Sequence, residues 1–415
     1  NARKSLQAII SSDFNTGWMH GNIKLATLSD TDTTNANPAE LITNGTFDSN
    51  ITGWSSQLGA VLTNPSGRLS IESTGSNSMA YQYFTGSVAE SFIVTVNLIS
   101  GVGYIGTGGS THALSTTGVN TFVLKAGRSN SKLDVSPNSN TTMVVDNISV
   151  KRAEQDRSVN GKGLQVFGTI TKTAVATGAD LVGYSGFTTS NYFKQPYNSD
   201  LNFGTGDFSI ITWIKPDNSM SAYPSVVDRN AGANSESSAW KLGIDEGNFA
   251  YYFFTNNASA ITATGDVLFG VWQQVVAVRR SGILYFYVNG ILKEQGAMTN
   301  SITSTAGVLG VGRDGNHYLG DSSVALLRLS ATAPTAEQIK KMYNDEKNLF
   351  TTNAQATLYG TSDAVTALAY DDDTNLLHVG TSAGRSVFQG LNRVDNTTDA
   401  VGAAISASNG LVAED

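Results

Sequence analysis

The chain predicts an all-β fold, and three observations carry that prediction. Only 14% of its 415 residues are charged, while glycine supplies 42 and Ser, Thr and Asn are abundant, which is the profile of many short strands joined by tight turns. Hydrophobic residues alternate with polar ones at a period of two in several short runs. Only the stretch after Pro334 combines a helix start signal with helical periodicity. At this length two or three domains are expected, each able to bury a core of its own.

Residues 1–38 hold a strand-like piece at 21–28 and then a polar run without periodicity, which reads as a linker. The segment 39–152 opens with Asn44-Gly45-Thr46-Phe47-Asp48 and Gly53-Trp54 and closes with Val144-Val145-Asp146-Asn147-Ile148-Ser149-Val150. Within it, alternation puts Phe92, Val94, Val96 and Leu98 on one face and Ile93, Thr95 and Asn97 on the other, as in a half-buried antiparallel strand. The short charged run 151–158 marks the next boundary.

The segment 153–350 begins with glycine-punctuated turns and reaches Gly204-Thr205-Gly206-Asp207-Phe208-Ser209-Ile210 ahead of Trp213, then Trp272 ahead of Val275, Val276 and Val278. In residues 283–288, Leu284, Phe286 and Val288 fall on the expected core face, with Ile283, Tyr285 and Tyr287 opposite. Thr335 as N-cap and Gln338 three residues on form a capping box, after which Ile339, Met342 and Tyr343 share a helical face. The segment 351–415 changes to strand, acidic turn at Asp371-Asp372-Asp373, strand, glycine turn and strand, one propeller blade's worth of structure. One blade cannot close a ring, so the two chain ends are expected to join in a small β-rich base, to close against other subunits, or to belong to a longer polypeptide. The start at Asn1 suggests a processed chain or a fragment.

The run from Phe203 to Val288 resembles the laminin-G or concanavalin-A-like jelly roll, and the 44–54 and 144–150 motifs resemble the first and last strands of a carbohydrate-binding-module-like jelly roll. The resemblance implies two tandem antiparallel jelly-roll sandwiches followed by a closing helix, a fold that binds more often than it catalyses. It also implies a core placement for Trp54, Trp213 and Trp272. The texture is similar to phage tail-fibre or other virion-surface proteins, implying a non-enzymatic adhesin at the virion surface or outside the cell. Such a protein recognises a surface polysaccharide or glycoprotein glycan and assembles as a homo-oligomer, for instance a trimer. Two other readings stand beside it: structural decoration of a capsid, tail or filament, and the accessory binding part of a secreted polysaccharide-degrading enzyme.

A formal net charge of −8 argues against nucleic acid or anionic membrane surfaces as partners, and no run approaches the roughly 20 apolar residues of a membrane helix. The absence of cysteine excludes disulfides, thiolate zinc sites and a cysteine nucleophile. His20, His112, His317 and His378 are widely spaced and read as turn or surface residues. A glycosidase pair among Asp228, Glu236, Asp245 and Glu246 would need two carboxylates facing each other, yet these sit in stretches that read as loops.

Sugar rings present apolar C–H faces, so exposed aromatics beside polar partners are the expected carbohydrate-binding residues. The candidates are Tyr81, Tyr83, Trp240, Tyr251, Tyr252, Tyr285 and Tyr287; core or interface packing would use the same residues equally. For a structural Ca2+, the resemblance points to Asp48 and Asp146 with backbone near Gly45, and secondarily to Asp314 and Asp321. Asn147 stands where the family carries a second acid; the alternatives are a turn cap for Asp48, pairing with a neighbouring strand for Asp146 and an acidic hairpin turn for Asp314 and Asp321.

Overall fold

The computed structural model describes residues 22–86, 90–108, 110–127, 131–230, 240–255, 260–355, 357–360, 364–390 and 392–415. It is all-β, with antiparallel sheets and, among the described residues, a short 3-10 turn at Ser199–Leu201 and one longer helical stretch made of α1 (Ala336–Glu346) and a 3-10 turn, Lys347–Phe350. Glu236, His20 and residues 1–21 lie outside the described residues.

The first sandwich stacks two antiparallel sheets. One runs Ser55–Gln57, Met79–Phe84, Ser131–Pro137, Gly103–Gly106, Thr111–Leu114 in spatial order. The other places Thr142–Glu154 between Leu69–Glu72 and Ser91–Ser100, with Gly118–Lys125 beyond. Phe92, Val94, Val96 and Leu98 all enter the shared core with Phe47, Trp54 and Ile105, as the alternation predicts.

The second sandwich pairs a sheet centred on Phe208–Lys215, Gln273–Arg280 and Ser323–Ser330 with one that runs from Ala260–Ala263 to Leu164–Phe167. Leu284, Phe286 and Val288 sit in the core between them. Thr335 caps α1 as predicted: its side chain accepts from Gln338 N at 3.3 Å, and Gln338 Oε1 accepts from Thr335 N at 2.7 Å.

Three expectations need correction. The strand Thr142–Glu154 does not stop at the charged run; it continues past the first sandwich and pairs Ala153 with Gln165 and Glu154 with Leu164 of the second. Two separate hydrophobic cores are therefore bridged by one continuous sheet that runs across the expected boundary. The described part of the N-terminal segment is not in a base with the C-terminal segment either. Ile23–Thr27 pairs with Ser323–Ser330 of the second sandwich, whereas residues 365–397 form a four-stranded sheet of their own, with a separate hairpin at 405–414. Paired backbone in the large sheet satisfies the strand's N–H and C=O groups better than a short isolated base would.

The tryptophans are the third correction. Trp213 is buried, but on the face of its strand opposite to Phe208, Ile210 and Ile214, where it stacks on Phe350 at 4.2 Å. Trp272 is half-buried in the same group and donates from Nε1 to Val175 O at 3.0 Å. This strand is hydrophobic on both faces because the helix covers the second one.

Candidate functional site

The outward face of the Met79–Phe84 sheet gathers the most suitable binding chemistry. In that strand Ala80, Gln82 and Phe84 point to the core, leaving Tyr81 half-buried and Tyr83 63% exposed on the outside. Cross-strand pairing sets Tyr81 beside Asp134 and Tyr83 beside Lys132, and on the next strand it sets Tyr104, 50% exposed, beside Ser136. Residues opposite each other in a ladder share a face. The three tyrosines therefore stand on one surface, two along one strand and the third two strands away.

Polar groups hold the centre of this surface. Lys132 Nζ lies 2.8 Å from Asp134 Oδ1, donates to Gln57 Oε1 at 2.9 Å and sits 4.8 Å from the Tyr81 ring centroid. Tyr81 and Tyr83 meet edge to face at 5.5 Å. This network fixes the Tyr81 ring while the rings of Tyr83 and Tyr104 stay open to solvent. Such a face can cover apolar C–H surface and offer both a cation and a carboxylate to hydroxyl groups.

The other aromatic candidates are placed differently. Trp240, Tyr251 and Tyr287 are buried and cannot touch a soluble glycan. Trp240 and Tyr251 point into the second sandwich's core, where the Tyr251 hydroxyl donates to Gln273 Oε1 at 2.9 Å. Tyr287 does lie away from that core, but Ile339 and Met342 of α1 cover it, and half-buried Tyr285 packs at the margin of the same cluster beside Arg280. Tyr252 is half-buried on the outer face of its sheet, 5.8 Å from Lys241 Nζ. Tyr104, Lys132 and Asp134 were missed, because nothing in sequence order reveals which strands lie side by side.

The acidic candidates form no metal cage among the described residues: no three Asp, Glu or His side chains gather at metal-holding geometry. Gly45 O accepts from Ile148 N at 2.9 Å, which lays the Asp48 and Asp146 segments side by side. One oxygen of each carboxylate is engaged, Asp48 Oδ2 by Thr46 Oγ1 and Asp146 Oδ1 by Asn147 N. Asp314 is instead neutralised by Lys241 at 3.2 Å, and Asp321 is exposed, its N–H donating to Ser219 Oγ.

Asp228 lies on the strand Ser225–Asn230 rather than in a loop. Burial, and then the charge of Asp314, push the pKa of its carboxyl well above the ordinary range. Asp245, at the end of the strand Trp240–Asp245, accepts from Asn248 N in a local turn, and Glu246 Oε2 accepts from the distant Tyr223 N at 3.0 Å. His378 is not a surface residue: it is buried in the strand Leu376–Thr381, and burial pushes its imidazole pKa down.

Residues 187–340 match the family described as the concanavalin A-like lectin/glucanases superfamily. No curated protein matches the chain. Among solved structures, the chain is similar to domain 4 of AbnA, an extracellular arabinanase from Geobacillus stearothermophilus, in complex with arabinotriose. Identity is 15%, the TM-score is 0.36, and 46% of this chain and 92% of that one are covered. The receptor-binding domain of botulinum neurotoxin C/D mosaic serotype is similar at 12% identity and a TM-score of 0.39, over 59% of this chain and 60% of that one. The CBM40 of the Ruminococcus gnavus IT-sialidase, bound to α2,3 sialyllactose, is similar at 13% identity and a TM-score of 0.30, over 34% and 84%.

Proposed function

We propose that this chain is a non-catalytic glycan-binding protein, with the open tyrosine face of the first sandwich as its contact surface and the concanavalin A-like domain as its second recognition module. The observation that carries the reading is the grouping of Tyr81, Tyr83 and Tyr104 around the Lys132–Asp134 pair on one solvent-facing sheet surface. A sheet face is a rigid platform, so little ordering entropy is lost when a sugar chain lies across it. The setting supported by the cysteine-free, weakly charged, glycine-rich composition is a virion surface or tail fibre outside the cell.

Glycan-array screening followed by calorimetry tests the proposal. Replacing Tyr83 or Tyr104 by Ala is expected to weaken binding to the array hits about tenfold each, the loss of one aromatic contact. Unchanged affinity in both variants would remove this face from the function. A structural role as assembly glue has its own support in the exposed Leu368, Val394 and Leu411 of the C-terminal segment.

A further inference from the structure

A second cleft, of about 570 Å3, lies where the two sandwiches meet. One wall is the N-terminal segment, which Asp30 fastens to the second sandwich through Lys172 at 2.6 Å. The bridge between Ala36 and Ile170 holds it again, before Glu40 bridges to Lys151 of the first sandwich. The opposite wall is the end of the crossing strand, with Arg152, Glu154 and Gln155. Its volume falls in the range of ligand pockets, which form preferentially at domain interfaces.

The charge pattern selects the ligand. The lining contains four acids and three bases, and the bases are already engaged: Lys172 by Asp30, Arg152 by Glu90 at 3.6 Å, and Arg157 Nε by Ser29 O at 2.7 Å. Among the described residues no unpaired cation lines the cleft to neutralise a phosphate or carboxylate ligand. The described lining also has no aromatic residue, so it offers no stacking surface to a nucleobase or flat cofactor.

Uncharged hydrogen-bonding groups remain. Asn35 and Asn37 use only Oδ1, toward Lys172 N and Ala39 N, which leaves their amide Nδ2 donors without a partner among the described residues. Gln155 lines the opposite wall. Glu154 accepts from the Tyr184 hydroxyl on Oε1 at 2.7 Å, and its Oε2 remains for a ligand. Burial pushes the Glu154 pKa up to about 7, so near neutral pH the carboxyl carries less than a full charge.

We propose that the inter-sandwich cleft is a second binding site, for a short neutral saccharide whose hydroxyls pair with the amides of Asn35, Asn37 and Gln155 and with Oε2 of Glu154. The site is independent of the tyrosine face, and either can fail without the other.

Calorimetric titration of the full chain with arabinotriose, maltotriose and lactose, and with sialyllactose as the anionic control, tests it in a Tyr81→Ala/Tyr83→Ala/Tyr104→Ala background. The expected result is that at least one neutral sugar still binds there and that Asn37→Trp, which fills the cleft from an exposed position, weakens it about tenfold or more. Gln155→Ala, which adds no bulk, is expected to weaken it in the same direction. Loss of all binding in the tyrosine background overturns the cleft and leaves the open face standing. Binding that survives both cleft substitutions, or that favours sialyllactose, overturns the cleft as a neutral-sugar site. Failure of every neutral sugar to bind the unsubstituted chain at millimolar concentration overturns it as well.

Discussion

Glu346, the last residue of α1, grips Arg328 from both oxygens inside the protein: Oε1 lies 2.6 Å from Nη1, and Oε2 accepts from Nη2 at 2.9 Å. Both side chains are buried, and Oε2 also accepts from Trp213 Nε1 at 2.7 Å. A helix end is thereby locked to a central strand and to the aromatic cluster of Trp213, Tyr343 and Phe350. The close charge pair, its Nη2–Oε2 hydrogen bond and the indole donor offset the desolvation of both charges.

Removing one partner strands the other. Glu346→Ala is expected to destabilise the chain by about 3 to 5 kcal/mol, measured by urea unfolding, because Arg328 is left charged and buried. The paired exchange Arg328→Met with Glu346→Leu is expected to recover most of that loss. A cost below about 1 kcal/mol for Glu346→Ala would show that water reaches the pair and that it does not hold the helix.

Glu154 makes stability depend on pH in the less common direction. Its folded pKa of about 7 exceeds the ordinary 4.5, with burial as the main cause, so between those values the native state keeps a proton that the unfolded chain has released. Its contribution is therefore most favourable below about 4.5, declines as pH rises to about 7 and stays reduced above. The gap corresponds to about 3 kcal/mol. Asp228 and Asp156 are shifted upward too, so the parent and Glu154→Gln must be compared. Melting temperatures of the two are expected to converge near pH 4.5, with the variant more stable at pH 8; parallel curves would refute the assignment.

How much of this was legible follows from what a period of two can see. Alternation sorted Leu284, Phe286 and Val288 from Tyr285 and Tyr287 correctly, but it cannot tell a solvent face from one covered later by a helix, and α1 arrives fifty residues downstream. The same period applied to 240–245 would have grouped Trp240 with Leu242 and Ile244 as core. Tyr104 and Lys132 joined the site only because Gly103–Gly106 and Ser131–Pro137 lie beside each other in space, out of chain order. The crossing strand stayed hidden because Lys151, Arg152 and Glu154 read as a domain boundary, although their polar side chains suit a strand passing between two sandwiches.

The helix start was readable from Thr335 and Gln338 alone, and it carries a modest prediction. Thr335→Ala removes the acceptor for Gln338 N and is expected to cost about 1 kcal/mol. Thr335→Ser should restore nearly all of it in the same unfolding assay. Equal losses in both variants would mean that the threonine methyl, not the cap, matters.

The C-terminal segment bears on assembly. Its four-stranded sheet leaves Val365–Asp371 and Asn392–Thr397 at the edges, and Leu368, Val394 and Leu411 are about half exposed or more. Its core is small, built on Leu358, Leu377, Val379 and Phe388, and edge strands with apolar side chains are templates for further pairing. Self-association through this segment is the expected outcome, seen by light scattering as a mass that rises with concentration. Leu411→Glu together with Val394→Lys should return the mass to one chain without changing the melting temperature of the sandwiches. A parent chain already monomeric at high concentration would eliminate the segment as an assembly surface and leave glycan contact to single copies.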